Sequence, residues 1–185
     1  NLVDGYTTVK GTNSPNDDNG HGTHVAGIIA ALSNNSRSGV GLAPKCKVMP
    51  IKVLSAKGEG SDSDIAEALI WAVDHGANII NLSLGGNTAG KTLENAMQYA
   101  YNSNVLVLAA MGNNGTNAKI YPAAYKNVVA VAATDAKNKV APFSNYGEWV
   151  SVAAPGLKIY STFPTYKVEL SRYNISPNYG ILSGT

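Results

Sequence analysis

The sequence predicts an α/β protein, a three-layer α/β/α sandwich around a mainly parallel central sheet. Two observations carry this. Strand-like and helix-like segments alternate along the chain, a pattern that gives right-handed crossovers and parallel pairing. The segment Val105–Ala110, "VLVLAA", is apolar throughout, as in a strand covered on both faces. The 185 residues suffice for one domain, and a composition of 44% hydrophobic and 14% charged residues fits a folded globule.

The elements follow in order. "NGHGTHVAGIIAAL" (Asn19–Leu32) opens on glycines and runs into an apolar helix. "CKVMPIKVL" (Cys46–Leu54) is apolar and β-branched, a strand ending near the turn-prone "AKGEGS". Ile65, Ala68, Leu69, Ala72 and Val73 recur at helical spacing. Ser61 with Asp64 resembles a capping box at the start of that helix, and Gly76 suits its left-handed end. Asn78–Leu84 reads as a strand stopped by Gly85 and Gly86, and Leu93, Ala96, Met97, Ala100 and Tyr101 mark the core face of a further helix. Val105–Ala110, Asn127–Ala133 and Trp149–Gly156 read as strands, and the Tyr-, Ser-, Pro- and Asn-rich tail Ser161–Thr185 as loop. Parallel sheets gather working groups at the carboxyl ends of their strands, here the glycine-rich ends after Leu54, Leu84 and Ala110.

A net charge of +2 is too small to point to nucleic acid or an anionic membrane, so neither is expected as a partner. No apolar run reaches the ~18 residues of a membrane span. Cys46 is the only cysteine, so no disulfide forms within the chain, and it reads as a structural thiol. Two of the three histidines, His21 and His24, lie three apart among glycines. A metal pair is one reading, but zincins space their histidines by four with a Glu after the first, where Gly22 stands here. A packed or hydrogen-bonded histidine at a helix start is the second reading, and it suits His24, one turn inside the helix. A general base is the third: it needs an imidazole at a cleft among small residues, and His21 lies between Gly20 and Gly22.

"HGTHVAG" resembles the histidine signature of the subtilisin-like serine proteases, the subtilases. "KVL" with "GEGS", then "NIINLSLGG", "AAMGNNG", "YPAAYKNVVAVAATD", "FSNYG" and "VAAPG" resemble the same family in its own order. The resemblance implies a subtilisin-like fold and a secreted endopeptidase working through an Asp-His-Ser triad and an acyl-enzyme. It makes His21 the general base and Asn113 the side-chain donor of the oxyanion hole. Without it, Asn113 would read as a loop asparagine tolerating a positive φ, a role that suits Asn114 better. The resemblance further implies an extended peptide or protein substrate, and the enzyme's own propeptide as a partner. Ser83, Leu84 and Gly85 would pair with that peptide as a sheet edge, with Gly58 and Gly60 on the opposite rim. Ala110, Met111 and Gly112 would line the pocket before the cut bond, narrowed by the Met111 thioether. "LSNNSRSGVGLAP" resembles a calcium loop with Asn35 as a ligand, and Asp17 and Asp18 would join a second site. No catalytic cofactor is implied.

The family's aspartate segment would precede Asn1 and its Gly-Thr-Ser nucleophile would follow Thr185. Residues 1–185 are therefore expected to be an incomplete peptidase domain, inactive alone and exposing apolar sheet surface. An inactive, subtilase-like binding module is the alternative. A nucleotide-binding domain needs a glycine fingerprint between a strand and a helix, whereas "GVGLAP" (Gly39–Pro44) precedes a strand.

Overall fold

A computed structural model describes residues 1–185. The elements run β1 (Tyr6–Thr7), α1 (His21–Ala30), β2 (Ile51–Lys52), α2 (Asp62–Asp74), β3 (Ile79–Leu82), α3 (Lys91–Asn102), β4 (Leu106–Ala110), β5 (Val128–Thr134), β6 (Val152–Pro155), β7 (Ile159–Thr162), a 3₁₀ turn (Glu169–Tyr173) and β8 (Tyr179–Leu182). They divide into two units, one of Asn1–Asp64 with Tyr160–Leu182, the other of Ile65–Ile159 with Ser183–Thr185.

In the first unit β1 and β2 pair in parallel, Tyr6 opposite Ile51, and β7 pairs with β8. α1 packs on β8 and is fastened to β7 by side chains. Ser161 Oγ donates to the His24 carbonyl at 2.7 Å and Thr162 Oγ1 to the Thr23 carbonyl at 3.0 Å. Gly27 makes this approach possible, because a Cβ there would overlap the hydroxyls of Thr162 and Ser161. His24 is buried, as its place one turn into the apolar run implies.

The second unit holds the four-stranded sheet β3-β4-β5-β6, parallel throughout. Leu82 lies opposite Ala109 and Ala110 opposite Val131. α3 packs on β4 and buries Leu93, Ala96, Met97 and Ala100. Tyr101, the residue after the wholly buried Ala100, is exposed. α2 buries Ile65, Ala66, Ala68, Leu69 and Ala72. The capping half of the Ser61 motif is present, with the Asp64 N–H donating to Ser61 Oγ at 3.2 Å, and Gly76 is left-handed at φ 84°.

Most strands are shorter than the apolar runs suggest, above all β2, where only Ile51–Lys52 of Cys46–Leu54 is laddered and Val48 is bridged singly to Leu2, whereas β5 keeps its expected length. The tail is not simply loop: β7, the 3₁₀ turn and β8 occupy it. Its strands are four residues each, too short to show a period between Pro, Ser and Asn.

Gly27→Ala separates packing from helix propensity. Alanine favours the helix by about 1 kcal/mol, yet the overlap with β7 should prevail. Denaturant unfolding is expected to show a net loss of about 1–3 kcal/mol.

Candidate active site

α1 begins without the usual capping side chain at its first boundary, Gly20. The carboxylate of Asp17, three residues upstream, does that work. Its Oδ1 accepts the N–H groups of Asn19 at 3.0 Å and Gly20 at 2.8 Å, and its Oδ2 accepts the Thr23 N–H and hydroxyl, both at 2.7 Å. Four donors fill the lone-pair directions of the two oxygens, and the negative charge sits at the positive end of the helix. Burial pushes the Asp17 carboxyl up, but the hydrogen bonds from Gly20, Thr23 and Asn19 outweigh it and hold its pKa below the ordinary 3.8.

The segment before His21 is held from other directions as well. Asn19 Oδ1 accepts the His21 N–H at 3.2 Å, while its Nδ2 donates to the Ala56 carbonyl at 2.6 Å. Lys52 pairs with Asp18 and donates to the Leu54 carbonyl. The N–H groups of Glu169 and Leu170 donate to the Asp18 and Asn19 carbonyls, and Tyr166 Oη to that of Asp17. Gly20 takes a left-handed φ of 108°, with the Phe163 ring where a side chain would stand.

His21 is the first residue of α1 and is half-buried. Burial pushes its imidazole below the ordinary histidine range; the Asp17 charge pulls it up, His24 pushes it down, and burial prevails. The shift favours the neutral ring, which offers a nitrogen lone pair. Beside it Gly22 is exposed, with room for a Cβ, so local packing does not explain that glycine. The third histidine, His75, stacks on Trp71 with ring centroids 3.9 Å apart.

In the unit that carries His21, Gly58 (φ 80°) closes the 55–59 turn, and Gly60 lies so close to the Val53 carbonyl that a Cβ would sit 2.5 Å from it. Both glycines thus have reasons internal to the fold.

In the other unit, two segments leave the carboxyl end of the sheet side by side, since Leu82 of β3 and Ala109 of β4 are register partners. After β3, Ser83, Leu84 and Gly85 form no backbone hydrogen bond with the rest of the chain. After β4 comes the 111–118 loop. Strand alternation carries Val107, Ala109 and Met111 to a buried face. Met111 meets no solvent, while Ala110 and Gly112 lie on the other, half-open face. The left-handed residues of the loop are Gly112 (φ 103°) and Gly115 (φ 65°), not Asn113 or Asn114.

Asn113 is exposed. Its Oδ1 accepts the Thr185 N–H at 2.9 Å and hydroxyl at 3.1 Å, which turns Nδ2 away as a spare donor. Thr185 Oγ1 also accepts the Gly112 N–H at 3.2 Å. Sequence reasoning did not single out Thr185, nor Asp17 in the capping role; an Asp-x-x-Gly before a helix start is the signal that could have found the latter.

A profile of the subtilase family matches residues 1–185. The chain belongs to the subtilase family. It is 44% identical to thermitase of Thermoactinomyces vulgaris over 184 residues, covering 100% of this chain and 62% of the relative. It is 49% identical to the thermophilic serine proteinase of Bacillus sp. (strain AK1) over 161 residues, 87% of this chain and 40% of the relative. A solved structure of a cold-adapted subtilisin-like serine proteinase superposes with a TM-score of 0.83 at 32% identity, covering 99% of this chain and 62% of that one. The fold class is thus the three-layer α/β/α architecture of the subtilases, with a mostly parallel sheet. This subtilase chain spans 40–62% of the length of these curated relatives.

Asp17→Asn tests the cap. A carboxyl with a lowered pKa stabilises the fold above about pH 4, and that stability is lost as pH falls through the folded value. The substitution should therefore cost about 1–2 kcal/mol at neutral pH, and the gap to wild type should close below pH 3.8. A gap independent of pH in denaturant titrations would exclude the charge.

Proposed function

We propose that the protein containing this chain is a secreted serine endopeptidase that cleaves extended peptide or protein substrates through an acyl-enzyme. The observation that carries the proposal is His21: an imidazole whose neutral form is favoured by burial, at the head of a fastened helix, beside a glycine with open space.

In the proposed mechanism, His21 accepts the proton of a serine hydroxyl as that oxygen attacks the scissile carbonyl, then returns it to the leaving amine. Asn113 Nδ2 donates to the oxyanion as it forms. Thr185 supports this by holding Oδ1, so the amide presents its donor end without reorganising. The unpaired backbone of Ser83–Gly85 adds the substrate as a further strand, and Gly58 and Gly60, without side chains, let the peptide backbone approach. Ala110 and Gly112 face the pocket for the residue before the cut bond, and Met111 backs it from the core. A serine and an aspartate from outside residues 1–185 complete the triad, and the propeptide binds the same edge as a substrate does.

Calcium at the 32–44 loop belongs to the same proposal. The donors there are the Asn35 side-chain oxygen, which already accepts the Arg37 N–H at 3.1 Å, and backbone carbonyls. They suit a hard cation by kind, but they are neutral, and no cluster of three or more His, Cys, Asp or Glu stands by. Bound there, calcium would brace the loop. The carboxylates offered to a second site are already engaged, Asp17 by four donors and Asp18 by Lys52. Calcium is expected to raise the Tm of the protein, a chelator to reverse the rise, and Asn35→Ala to abolish it.

The test of the main proposal is labelling of the full-length protein with a serine-directed fluorophosphonate. Wild type should label at one serine and His21→Ala should not. Undiminished labelling of the variant would refute His21 as the activating base.

A further inference from the structure

Asn145 is wholly buried, a polar side chain in the core of the second unit. Burying an amide is unfavourable unless its hydrogen bonds are replaced. An apolar residue of that volume would fill the space without this cost, so the partners of the amide matter.

Every side-chain hydrogen bond of Asn145 goes to one loop. Oδ1 accepts the N–H of Asn114 at 3.0 Å and of Thr116 at 3.3 Å, and Nδ2 donates to the Ala118 carbonyl at 3.3 Å. Its own backbone N–H donates to the Gly112 carbonyl at 2.9 Å. Asn145 therefore holds the residue before Asn113 and the residue after it. The fit is close on the Gly112 side, where a Cβ would lie 2.8 Å from Asn145 Nδ2. Asn145 is itself fixed from the sheet: Ser144 Oγ accepts the Ala133 N–H of β5 at 2.9 Å and donates to the Asn145 carbonyl at 3.0 Å. On either side, the Gly115 N–H donates to the Phe143 carbonyl and the Tyr146 N–H to that of Thr116.

The geometry points to Asn145 as a positioning residue for the oxyanion donor Asn113. It touches no reacting atom. It transmits the rigidity of β5 to a loop whose tip is exposed and whose two glycines are left-handed. Thr185 sets which way the Asn113 amide turns, and Asn145 sets where its backbone stands. An oxyanion donor must meet a charge that exists only in the transition state, so a displaced loop lowers kcat more than it raises KM. The inference rests on the donor role proposed above for Asn113.

A double-mutant cycle in the full-length protein tests it. Asn113→Ala is measured first and should lower kcat by about 10²- to 10³-fold, a magnitude established for the oxyanion-hole donor of a subtilisin and taken over here. An unchanged kcat at that step overturns the donor role itself, and the inference with it, before Asn145 is altered. Asn145→Ala in the wild-type background should then lower kcat by about tenfold or more, with KM changed by less than about threefold. In the Asn113→Ala background the same substitution should change kcat by less than about twofold, because the donor it positions is gone. Equal losses in both backgrounds, or full kcat in a folded Asn145→Ala protein, overturn the proposal. If Asn145→Ala does not fold, Asn145→Ser takes its place in the same cycle, with the same outcomes deciding.

Discussion

One carboxylate organises the unit that carries His21. Asp17 accepts four hydrogen bonds from the first turn of α1 and the residues just before it, so its two oxygens fix where the helix begins. The helix start in turn fixes His21. An ordinary boundary residue caps one or two N–H groups; here the cap comes from upstream, which lets the boundary itself be Gly20, left-handed and packed against Phe163. The other fastenings of residues 17–19, from Ala56, Lys52, Tyr166 and the 3₁₀ turn, act on a segment whose shape Asp17 has already set. The same charge also acts on the imidazole, pulling its pKa up against the effect of burial.

The second unit solves the same problem with a neutral group. Its parallel register brings the ends of β3 and β4 to one side of the sheet, leaving one segment with unpaired backbone and the other with a spare amide donor. The loop after β4 cannot hold itself, because it turns at two left-handed glycines and its tip is exposed. A buried asparagine supplies the missing rigidity. In each unit, then, an exposed or half-exposed working group is placed by a polar side chain that faces inward and bonds to main chain. Such preorganisation lets a donor or base act without rearranging as charge develops.

The order of helices and strands was legible in the sequence, because Ile65, Ala68, Leu69 and Ala72 repeat at helical spacing and "VLVLAA" runs unbroken. The lengths of the strands were not, since apolar runs continue past the last laddered residue. A continuous apolar run hides which residues face the core, and alternation from Val107 puts Met111 inside. The capping role of Asp17 was not legible, because an acidic pair beside a turn says nothing about which donors fill it. Asn145 was not legible at all. Its partner Asn114 lies 31 residues earlier in the chain, and no local pattern encodes a bond of that span. His21 and Asn113 were singled out as candidate site residues only through the resemblance of their motifs to the subtilases.

The central proposal is that His21 serves as the base and Asn113 as the oxyanion donor of a serine endopeptidase. The most direct measurement is a crystal structure of the full-length protein with a peptide boronate bound. The account predicts that the imidazole of His21 and the side-chain amide of Asn113 both lie within hydrogen-bond distance of the one tetrahedral boronate. A boronate seated elsewhere, or bonded to neither group, would contradict it.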